Sequence, residues 1–452
     1  MTKRPGLRPV HAKNPADDAM LRRLQKETFD YFLHESNHRN GLVIDKTKPG
    51  WPSSISATGL ALASYPIGVE RAFLGRSDAV KRTLATLRFF ATSRQSKEPD
   101  ATGYRGFYYH FLDMKTGKRA WKCELSTIDS ALLFAGALTA ATYFDRDTRG
   151  EREIRELAEA IYQRADWGWI QNRDGTVGHG WRPENGFIKC RWQGYSEALL
   201  LYVLGLGSPT HPLPAKSYAA WVSTYEWKKI YDTEFLYAGP LFIHQFSHLW
   251  IDFAGIQDDF MRKKGIDYFE NSRRATLVQQ RYAVHNPHQF VDYDEHCWGI
   301  TASDGPGPVT LRIGGIKRKF FDYVARGVPY GPDDGTVAPW AVVASLPFAP
   351  EIVLPTMRHF TDLRLREMNP YGFKATYNPT FPESTGCANG WVTPWHFGLN
   401  QGPVVMMIEN YRTGLLWRLM RRCPYIVKGL QRAGFRSGWL DQLPKPQETG
   451  AR

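Results

Sequence analysis

The sequence predicts an all-α fold, an (α/α)6 toroid or barrel of paired helices with short β-hairpins in its loops. The first observation is that helical segments apolar on every side alternate with helical segments apolar on one side only. A helix that is apolar all round is buried, whereas a one-sided helix lies at the surface. Such an alternation, joined by short loops, predicts an inner and an outer ring with a pocket at the N-terminal ends of the inner helices. The second observation is that glycine- and aromatic-rich stretches, 103–121 and 174–192, fall between helices and predict small hairpins over that pocket.

The helices are predicted in about six pairs. The outer segments are 16–34, 77–93, 149–165, 257–286 with a break near Gly265, 351–366 and 413–433, and the inner segments are 56–70, 126–144, 195–207, 336–349 and 401–412. We expect one domain over 17–440, between a loose N-terminal tail, 1–16, and a C-terminal tail, 441–452. A break into two domains near 208–214 is disfavoured, because the alternation continues on both sides of it.

The composition narrows the class of function. Aromatic residues make up 14% of the chain, with 15 Trp and 22 Tyr, and flat rings with a polar edge suit the apolar faces and hydroxyl rims of pyranose sugars. Most of these rings are nonetheless expected to fill the core. The formal net charge of +13 is spread along the chain without a nucleic-acid-binding signature, so we expect no nucleic-acid partner.

The five cysteines are odd in number and scattered, which argues against a disulfide framework and against a zinc site. The first 20 residues are polar and basic and lack the apolar stretch of a secretory signal. No apolar run is long enough to cross a bilayer. The sequence as given therefore predicts a cytoplasmic protein without a membrane span, and a trimmed or misassigned start would leave the periplasm open.

Glu197 is the first candidate catalytic residue. It follows Gly194 and Tyr195 at the start of an otherwise apolar helix. A carboxyl among apolar and aromatic groups has a raised pKa, because burial disfavours its charged form. A carboxylic acid that stays protonated at neutral pH can donate a proton, as the general acid of a glycosidase must. We therefore expect Glu197 to be that acid.

A second acid is needed, because glycoside hydrolysis uses two carboxyl groups on either side of the scissile bond. Asp129 lies in the first turn of the predicted helix 126–144, and Glu124 precedes the same helix. The alternative for both is helix capping, since acids near a helix N-terminus interact with its exposed N–H groups. Ser126 is itself a good capping residue, which leaves the two readings of Asp129 evenly balanced.

Other polar and aromatic residues cluster where further inner helices are expected to open, in 293–299, 301–305 and 333–336, although turns and caps would leave the same pattern. The residues expected to bind sugar are Trp192, Tyr195, His244, Trp298, Asp304, Asp334 and Asp45.

Two sequence patterns resemble those of a metal site and of a thiol nucleophile. His244 and His248 are spaced i, i+4 on one predicted helix face, with Asp252 one turn further, which is a spacing that can bind a metal. The general-base Glu of the H-E-x-x-H motif is missing and no other helix offers a clear ligand, so we expect hydrogen bonding rather than a metal, and no cofactor. Cys297 adjoins His296, but neighbouring residues on a helix point in different directions, which argues against a thiol nucleophile.

Several motifs together identify a family. They are Ala57–Leu62, Tyr65–Arg71, Gly106–Phe111, Glu124–Ala137, Gly194–Leu199, Gly207–Pro212, His244–Gln257, Asp267–Ser272, Trp298–Gly305, Asp334–Thr336 and Gln401–Tyr411. Over about 21–435 the chain resembles the bacterial glucoamylase-like glycoside hydrolase group, of the family 144 type, which includes β-1,2-glucanases and a domain of cyclic β-1,2-glucan synthases.

The resemblance implies an (α/α)6 barrel that hydrolyses β-1,2-glucans, in the glucanases with inversion. It places Glu197 and Asp129 on acids important for activity. The chain departs from the family pattern in two places. At the first, Asp129 stands where the glucanases tend to have Glu, and Ser126 stands where they have a preceding Asp; at the second, Asn400 stands where an Asp precedes the Gln-Gly-Pro segment. Glu124 is the residue that could compensate for the first departure.

We therefore expect a hydrolase of β-1,2-glucan or sophoro-oligosaccharides, in which Glu197 is the general acid and Asp129, with or without Glu124, positions or deprotonates water. The partner is an oligo- or polysaccharide, and the sequence does not predict an oligomeric state. A transglycosylase or phosphorylase on the same scaffold is one alternative, because a fold does not fix a reaction. A glucan-binding protein without catalytic activity is another, suggested by Ser126 and Asn400.

Overall fold

The computed structural model describes residues 14–366, 369–382 and 390–443, and within them the chain is rich in helix. The α-helices of these residues are α1 Pro15–His34, α2 Ile55–Glu70, α3 Arg76–Thr92, α4 Thr127–Tyr143, α5 Arg149–Gln163, α6 Ala198–Gly207, α7 Ala215–Val222, α8 Asp259–Lys264, α9 Tyr268–His285, α10 Pro339–Ala344, α11 Pro350–Asp362, α12 Gly398–Thr413, α13 Leu415–Met420 and α14 Pro424–Arg432. Three short 3₁₀ helices span Leu241–His244, Phe246–Leu249 and Gly438–Leu440.

The alternation of buried and surface helices is confirmed. Helices α2, α4, α6, α10 and α12 are buried on nearly every side. They also contact one another: α2 packs on α4 and α12, α4 packs on α6, and α10 packs on α12. Helices α1, α3, α5, α11 and α14 bury one face each. Among these, α5 packs on α4, α14 on α6, and α1 on α12.

Two glycines allow α2 and α4 to approach each other closely. A Cβ atom on Gly136 would lie 2.0 Å from the carbonyl oxygen of Gly59, and one on Gly59 would lie 2.5 Å from that of Leu132. Any side chain at either position would therefore overlap the backbone of the other helix. This contact fixes the place of α4, whose first turn carries Asp129.

The strands of the described residues are short. They are β1 Ser53–Ser54, β2 Gly103–Tyr104, β3 Phe107–Tyr109, β4 Phe111–Leu112, β5 Leu125–Ser126, β6 Gly180–Arg182, β7 Gly186–Phe187, β8 Trp227–Ile230, β9 Thr233–Leu236, β10 Ala302–Ser303, β11 Val309–Ile313, β12 Ile316–Phe320, β13 Val324–Ala325, β14 Tyr377–Asn378 and β15 Trp391–Val392. Ten of them form two-stranded pairs, which are β1 with β4, β8 with β9, β10 with β13, β11 with β12, and β14 with β15.

The two predicted hairpins do not stay separate. Strands from both stretches join in one antiparallel sheet with the order β2-β3-β5-β6-β7. Strand β5 lies in its centre and runs directly into α4. The sheet therefore fixes Glu124, just before β5, and Asp129, just after it. The sequence pattern could not show this, because β5 is only two residues long.

Several predicted boundaries are wrong for local reasons. The predicted helix 413–433 is broken into α13 and α14, because α13 ends at Met420 and Pro424 begins a new helix. The predicted inner helix 336–349 is helical only over Pro339–Ala344. The break near Gly265 is confirmed, since that glycine ends α8 with a φ of 71°.

At the chain ends, α1 begins at Pro15, inside the stretch predicted as a tail, with the Asn14 side chain as its cap. The rest of that predicted tail, 1–13, and residues 444–452 of the C-terminal one lie outside the described residues. No helix in the described part of the chain is both long enough and apolar enough to span a membrane.

Candidate active site

A cavity of about 410 Å³ opens where the N-terminal ends of several buried helices meet. Its wall includes Asp129 from the first turn of α4, Glu197 just before α6, Trp340 from the first turn of α10 and Asn400 from the first turn of α12. The predicted location of the pocket is thus confirmed. The segment before α2 contributes Asp45, and Asp304 directly follows the end of β10.

Glu197 occupies the N-cap position of α6 without capping it. In α6, which is described over its whole length, the Glu197 carboxylate makes no capping hydrogen bond. Ser247, in the 3₁₀ helix Phe246–Leu249, makes the contacts of a cap instead. Its Oγ accepts the N–H of Leu200 at 3.1 Å, and its hydroxyl donates to the carbonyl of Glu197 at 3.2 Å. The Glu197 carboxyl is therefore free to face the cavity.

The protonation of Glu197 follows from its surroundings. Burial raises the pKa of this carboxyl from 4.5 to about 7, and the nearby charge of Asp129 adds to the shift. At neutral pH much of Glu197 therefore carries its proton. This matches the raised pKa expected from the sequence and the requirement for a general acid.

Asp129 is held by two neighbours. Its backbone N–H donates to Ser126 Oγ at 3.2 Å, so Ser126 is the cap of α4. The Ser126 hydroxyl in turn donates to Asp129 Oδ2 at 2.5 Å, and His110 Nε2 lies 3.6 Å from the same oxygen. Asp129 is therefore spared the capping role, and its carboxylate faces the cavity. Ser126, which departs from the family pattern, thus both caps α4 and hydrogen-bonds the Asp129 carboxylate.

Glu124 is close to Asp129 but is engaged elsewhere. Among the residues described, it is not one of those that line the cavity. Its Oε1 lies 2.9 Å from His110 Nδ1, and its Oε2 lies 3.7 Å from Arg182 Nη2. Although burial by itself raises its pKa, the hydrogen bond and charge of His110 lower it to about 2. Glu124 is thus a permanently charged partner of His110.

Asp45 is a third acid in the cavity wall. Its Oδ2 accepts the indole N–H of Trp51 at 3.0 Å. Burial raises its pKa to about 6, against the opposing effect of His110. Asp304 lies nearby, with Lys46 Nζ 3.6 Å from its Oδ2, and burial raises its pKa as well. Both of these acids predicted to bind sugar are therefore in the cavity.

Aromatic rings form much of the remaining wall. Trp51 packs edge-on against Trp121 with ring centres 4.6 Å apart, and Trp121 also contacts Phe111. Trp121 is 55% exposed and Tyr323 is 61% exposed, so both rings offer open faces at the cavity. The sequence predicted an aromatic wall but named other rings. Exposure at the mouth, which needs the tertiary structure, distinguishes these rings from core aromatics.

The predicted aromatic residues lie outside the lining, as judged over the described residues. Trp192 donates its indole N–H to Thr127 Oγ1 at 3.1 Å and stacks on His179. Tyr195 is buried against Tyr225 and Tyr268. Trp298 is fully buried and donates to Thr356 Oγ1 at 2.9 Å. The segment around Trp298 opens no helix, contrary to expectation, since the next helix begins only at Pro339.

Asp334 and His244 are also buried away from the described lining. Asp334 pairs with the fully buried Arg326, with Nη2 to Oδ2 at 2.8 Å. His244 donates from Nε2 to the carbonyl of Ala238 at 3.2 Å, and burial lowers its pKa to about 4, so its ring is neutral. Each of these two residues therefore has a buried protein partner instead of a place in the cavity wall.

The spacing of His244 and His248 does not lie on an α-helix. The two residues belong to consecutive 3₁₀ helices, and His248 pairs through Nε2 with Ser272 Oγ at 3.0 Å. Over the described residues, no group of three or more His, Cys, Asp or Glu side chains is arranged to hold a metal ion. Cys297 faces the Tyr377 hydroxyl at 3.2 Å, and burial raises its pKa to about 12, so it stays a thiol.

His110 is the main residue of this site that sequence reasoning missed. It lies between Glu124 and Asp129, within hydrogen-bonding or ion-pairing distance of both. The segment Gly106–Phe111 carried a signal, since it belongs to the motifs of the resemblance. No spacing rule links His110 to two acids that are 14 and 19 positions away, however. Only the pairing of β3 with β5 brings them together.

The chain is similar to known proteins over nearly its whole length. The family model Glycoamylase, described as "Putative glucoamylase", matches residues 189–424, just over half of the chain. A solved structure of the same description from Bacteroides uniformis is 31% identical, with a TM-score of 0.83, and covers 95% of this chain and 100% of that one.

Two relatives are named for their substrates. The exo β-1,2-glucooligosaccharide sophorohydrolase (non-reducing end) of Parabacteroides distasonis is 28% identical over 92% of this chain, and the chain spans 58% of the length of that protein. The structure of a β-1,2-glucanase from the same organism is 26% identical, with a TM-score of 0.80, and covers 92% of this chain and 60% of that one.

Proposed function

Because the chain belongs to the Glycoamylase family, we propose that it is a glycoside hydrolase that cleaves β-1,2-linked glucans or sophoro-oligosaccharides. The observation that carries the proposal is the pair formed by Glu197 and Asp129 in one cavity. Glu197 has a carboxyl that does not cap α6 and whose pKa is raised, and Asp129 has a carboxylate that accepts a hydrogen bond from Ser126. The substrates named for the Parabacteroides distasonis relatives support the choice of linkage.

The proposed reaction uses these two acids in turn. Glu197 gives its proton to the glycosidic oxygen as the bond from that oxygen to the anomeric carbon breaks. A water molecule forms the new bond to the anomeric carbon, and Asp129 takes the proton that this water loses. We propose attack from the opposite face, with inversion at the anomeric carbon. Proton transfer of this kind typically contributes about 10²–10⁴-fold for each group.

The rest of the cavity is proposed to bind the sugar. Trp51, Trp121 and Tyr323 offer ring faces to pyranoses, while Asp45 and Asp304 offer hydrogen bonds to hydroxyl groups. The finer architecture that we propose is an (α/α)6 toroid in one domain over 17–440. The contacts of α2, α4, α6, α10 and α12, and the packing of α1 on α12, support it.

The test compares purified protein on β-1,2-, β-1,3-, β-1,4- and α-1,4-glucans, with new reducing ends and the anomer of the first product as readouts. We expect hydrolysis of β-1,2-glucan only. Glu197→Gln keeps the side chain's shape but removes its acid, and should lower kcat by about 10²–10⁴-fold. The matched control is Glu156→Gln, on the exposed side of α5.

Each alternative gives its own result in this test. A phosphorylase would require added phosphate and release a sugar phosphate. A transglycosylase would lengthen oligosaccharides without increasing reducing ends, and a binding protein would retain glucan without cleaving it. Full activity of Glu197→Gln would contradict the assignment of the acid.

A further inference from the structure

Three charged side chains lie side by side across neighbouring strands of the five-stranded sheet. The backbone N–H of His110, which follows β3, donates to the carbonyl of Glu124 at 3.0 Å. In the next pair of strands Leu125 faces Trp181, which places Arg182 beside Glu124. The side chains then meet in the order His110, Glu124, Arg182, with distances of 2.9 and 3.7 Å. This arrangement continues to Asp129 on the other side of His110.

His110 has a carboxylate at each ring nitrogen. Nδ1 faces Glu124 and Nε2 faces Asp129, while the ring itself stacks on Phe111 with centres 3.9 Å apart. A neutral imidazole can donate from only one nitrogen, whereas an imidazolium donates from both. Two carboxylates at the two nitrogens therefore favour the charged ring. The stacking on Phe111 and the hydrogen bond to Glu124 fix its orientation.

The surrounding charges agree with this assignment. The titratable groups that face His110 are Glu124, Asp129 and Asp45, all acidic. Burial by itself lowers the pKa of His110, but the charges of Asp129, Glu124 and Asp45 together raise it to about 9. Lys46 and Arg182 are the nearby cations, and they pair with Asp304 and Glu124 respectively.

The charge on the His110 ring bears on which of the two cavity acids, Glu197 or Asp129, keeps its proton. Two carboxyl groups in one cavity affect each other's ionisation, and the group whose ionised form is less stabilised keeps its proton more readily. Asp129 has the Ser126 hydroxyl and His110 beside it, whereas Glu197 is desolvated and has only a hydrogen bond from its own backbone to offset this. The proton is therefore directed to Glu197.

We propose that His110, held as an imidazolium by Glu124, is a positioning residue that keeps Asp129 ionised and oriented while Glu197 keeps its proton. This inference rests on the proposed function for its consequence in catalysis, but the charge state of His110 can be measured without any activity.

The first experiment is an NMR titration of the intact chain with labelled histidine, in which His110→Gln identifies the His110 signal. We expect the His110 ring to stay protonated to about pH 8 or above, and to titrate at lower pH in Glu124→Gln. The control is His285→Gln, at an exposed position at the end of α9, which should leave the titration of His110 unchanged.

The second experiment measures kcat/KM against pH. We expect the acidic limb to move upward by about 1 pH unit in Glu124→Gln and in His110→Gln. If Glu124 acts through His110, the double variant His110→Gln, Glu124→Gln should have the same acidic limb as His110→Gln alone. A merely structural role would lower activity equally at every pH and would leave the limb in place.

The outcomes separate this inference from the proposed function. A His110 ring that titrates near 6.5 with Glu124 intact, or an acidic limb that stays in place in His110→Gln, would overturn the inference. A chain that cleaves no β-1,2-glucan would overturn the proposed function alone, and the NMR titration would still decide the state of His110.

Discussion

The hydroxyl of Ser247 occupies the place at the start of α6 that the Glu197 side chain would take in an ordinary N-cap. It accepts the N–H of Leu200 at 3.1 Å and donates to the Glu197 carbonyl at 3.2 Å. Acids at a helix N-terminus are normally held by its N–H groups, and this lowers their pKa. By supplying the cap from another part of the chain, Ser247 leaves Glu197 available as an acid with a raised pKa.

Ser247→Ala is therefore expected to affect catalysis beyond its effect on stability. Without the hydroxyl, the Glu197 carboxylate can turn back to the free N–H groups of α6, so kcat should fall about tenfold and stability by about 1 kcal/mol. Steady-state kinetics and thermal unfolding measure the two effects. Thr148→Ala removes the cap of α5 and is the matched control, with a similar loss of stability. Equal kcat values for the two variants would refute this role of Ser247.

The alkaline side of the pH profile should report Glu197. Because its pKa is raised to about 7 by burial, the protonated and active form falls off above that pH. We expect log kcat/KM to fall with a slope near −1 as the pH rises through about 7. In Glu197→Gln this limb should be missing from the residual activity. A limb that persists unchanged in the variant would assign it to another group.

The same carboxyl should make the folded protein less stable at pH 7 than at pH 4.5. In the unfolded chain Glu197 loses its proton near the ordinary value of 4.5, whereas in the folded chain it keeps the proton to about 7. Its contribution to stability is therefore complete below pH 4.5 and declines as the pH rises to about 7. Glu197→Gln, which cannot ionise, should gain in Tm relative to the unaltered protein between pH 4.5 and 8. A Tm difference that does not change with pH would contradict this.

The exposed rings at the cavity should contribute to substrate binding rather than to the chemical step. Trp121 is 55% exposed beside Trp51 and Phe111. Removing its face in Trp121→Ala should raise KM about tenfold, equivalent to about 1.4 kcal/mol, with kcat little changed. Tyr330→Ala is the control, because Tyr330 is 67% exposed but is not among the described residues that line the cavity. Equal KM values for both variants would exclude Trp121 from the binding surface.

Much of the fold could be predicted from hydrophobic periodicity. The segments 56–70, 126–144 and 401–412 read as helices apolar on all sides, and the structure buries α2, α4 and α12 accordingly. Burial of a helix depends on its own side chains, which is why a local pattern suffices. Where backbone geometry decided, as at Pro424, the pattern predicted one helix in place of two.

The candidate site, like the fold, was predictable from the sequence only in its local features. The sequence by itself determined that Glu197 and Asp129 stand at the heads of buried helices, because position in a helix and apolar neighbours are local properties. Only the tertiary structure decided that Ser247 and Ser126 relieve these acids of capping, and that Glu124 serves His110. It also placed Trp51, Trp121 and Tyr323, rather than Trp192 and Trp298, at the cavity. Those choices depend on contacts between residues far apart in the chain, which form only when the strands pair and the helices pack.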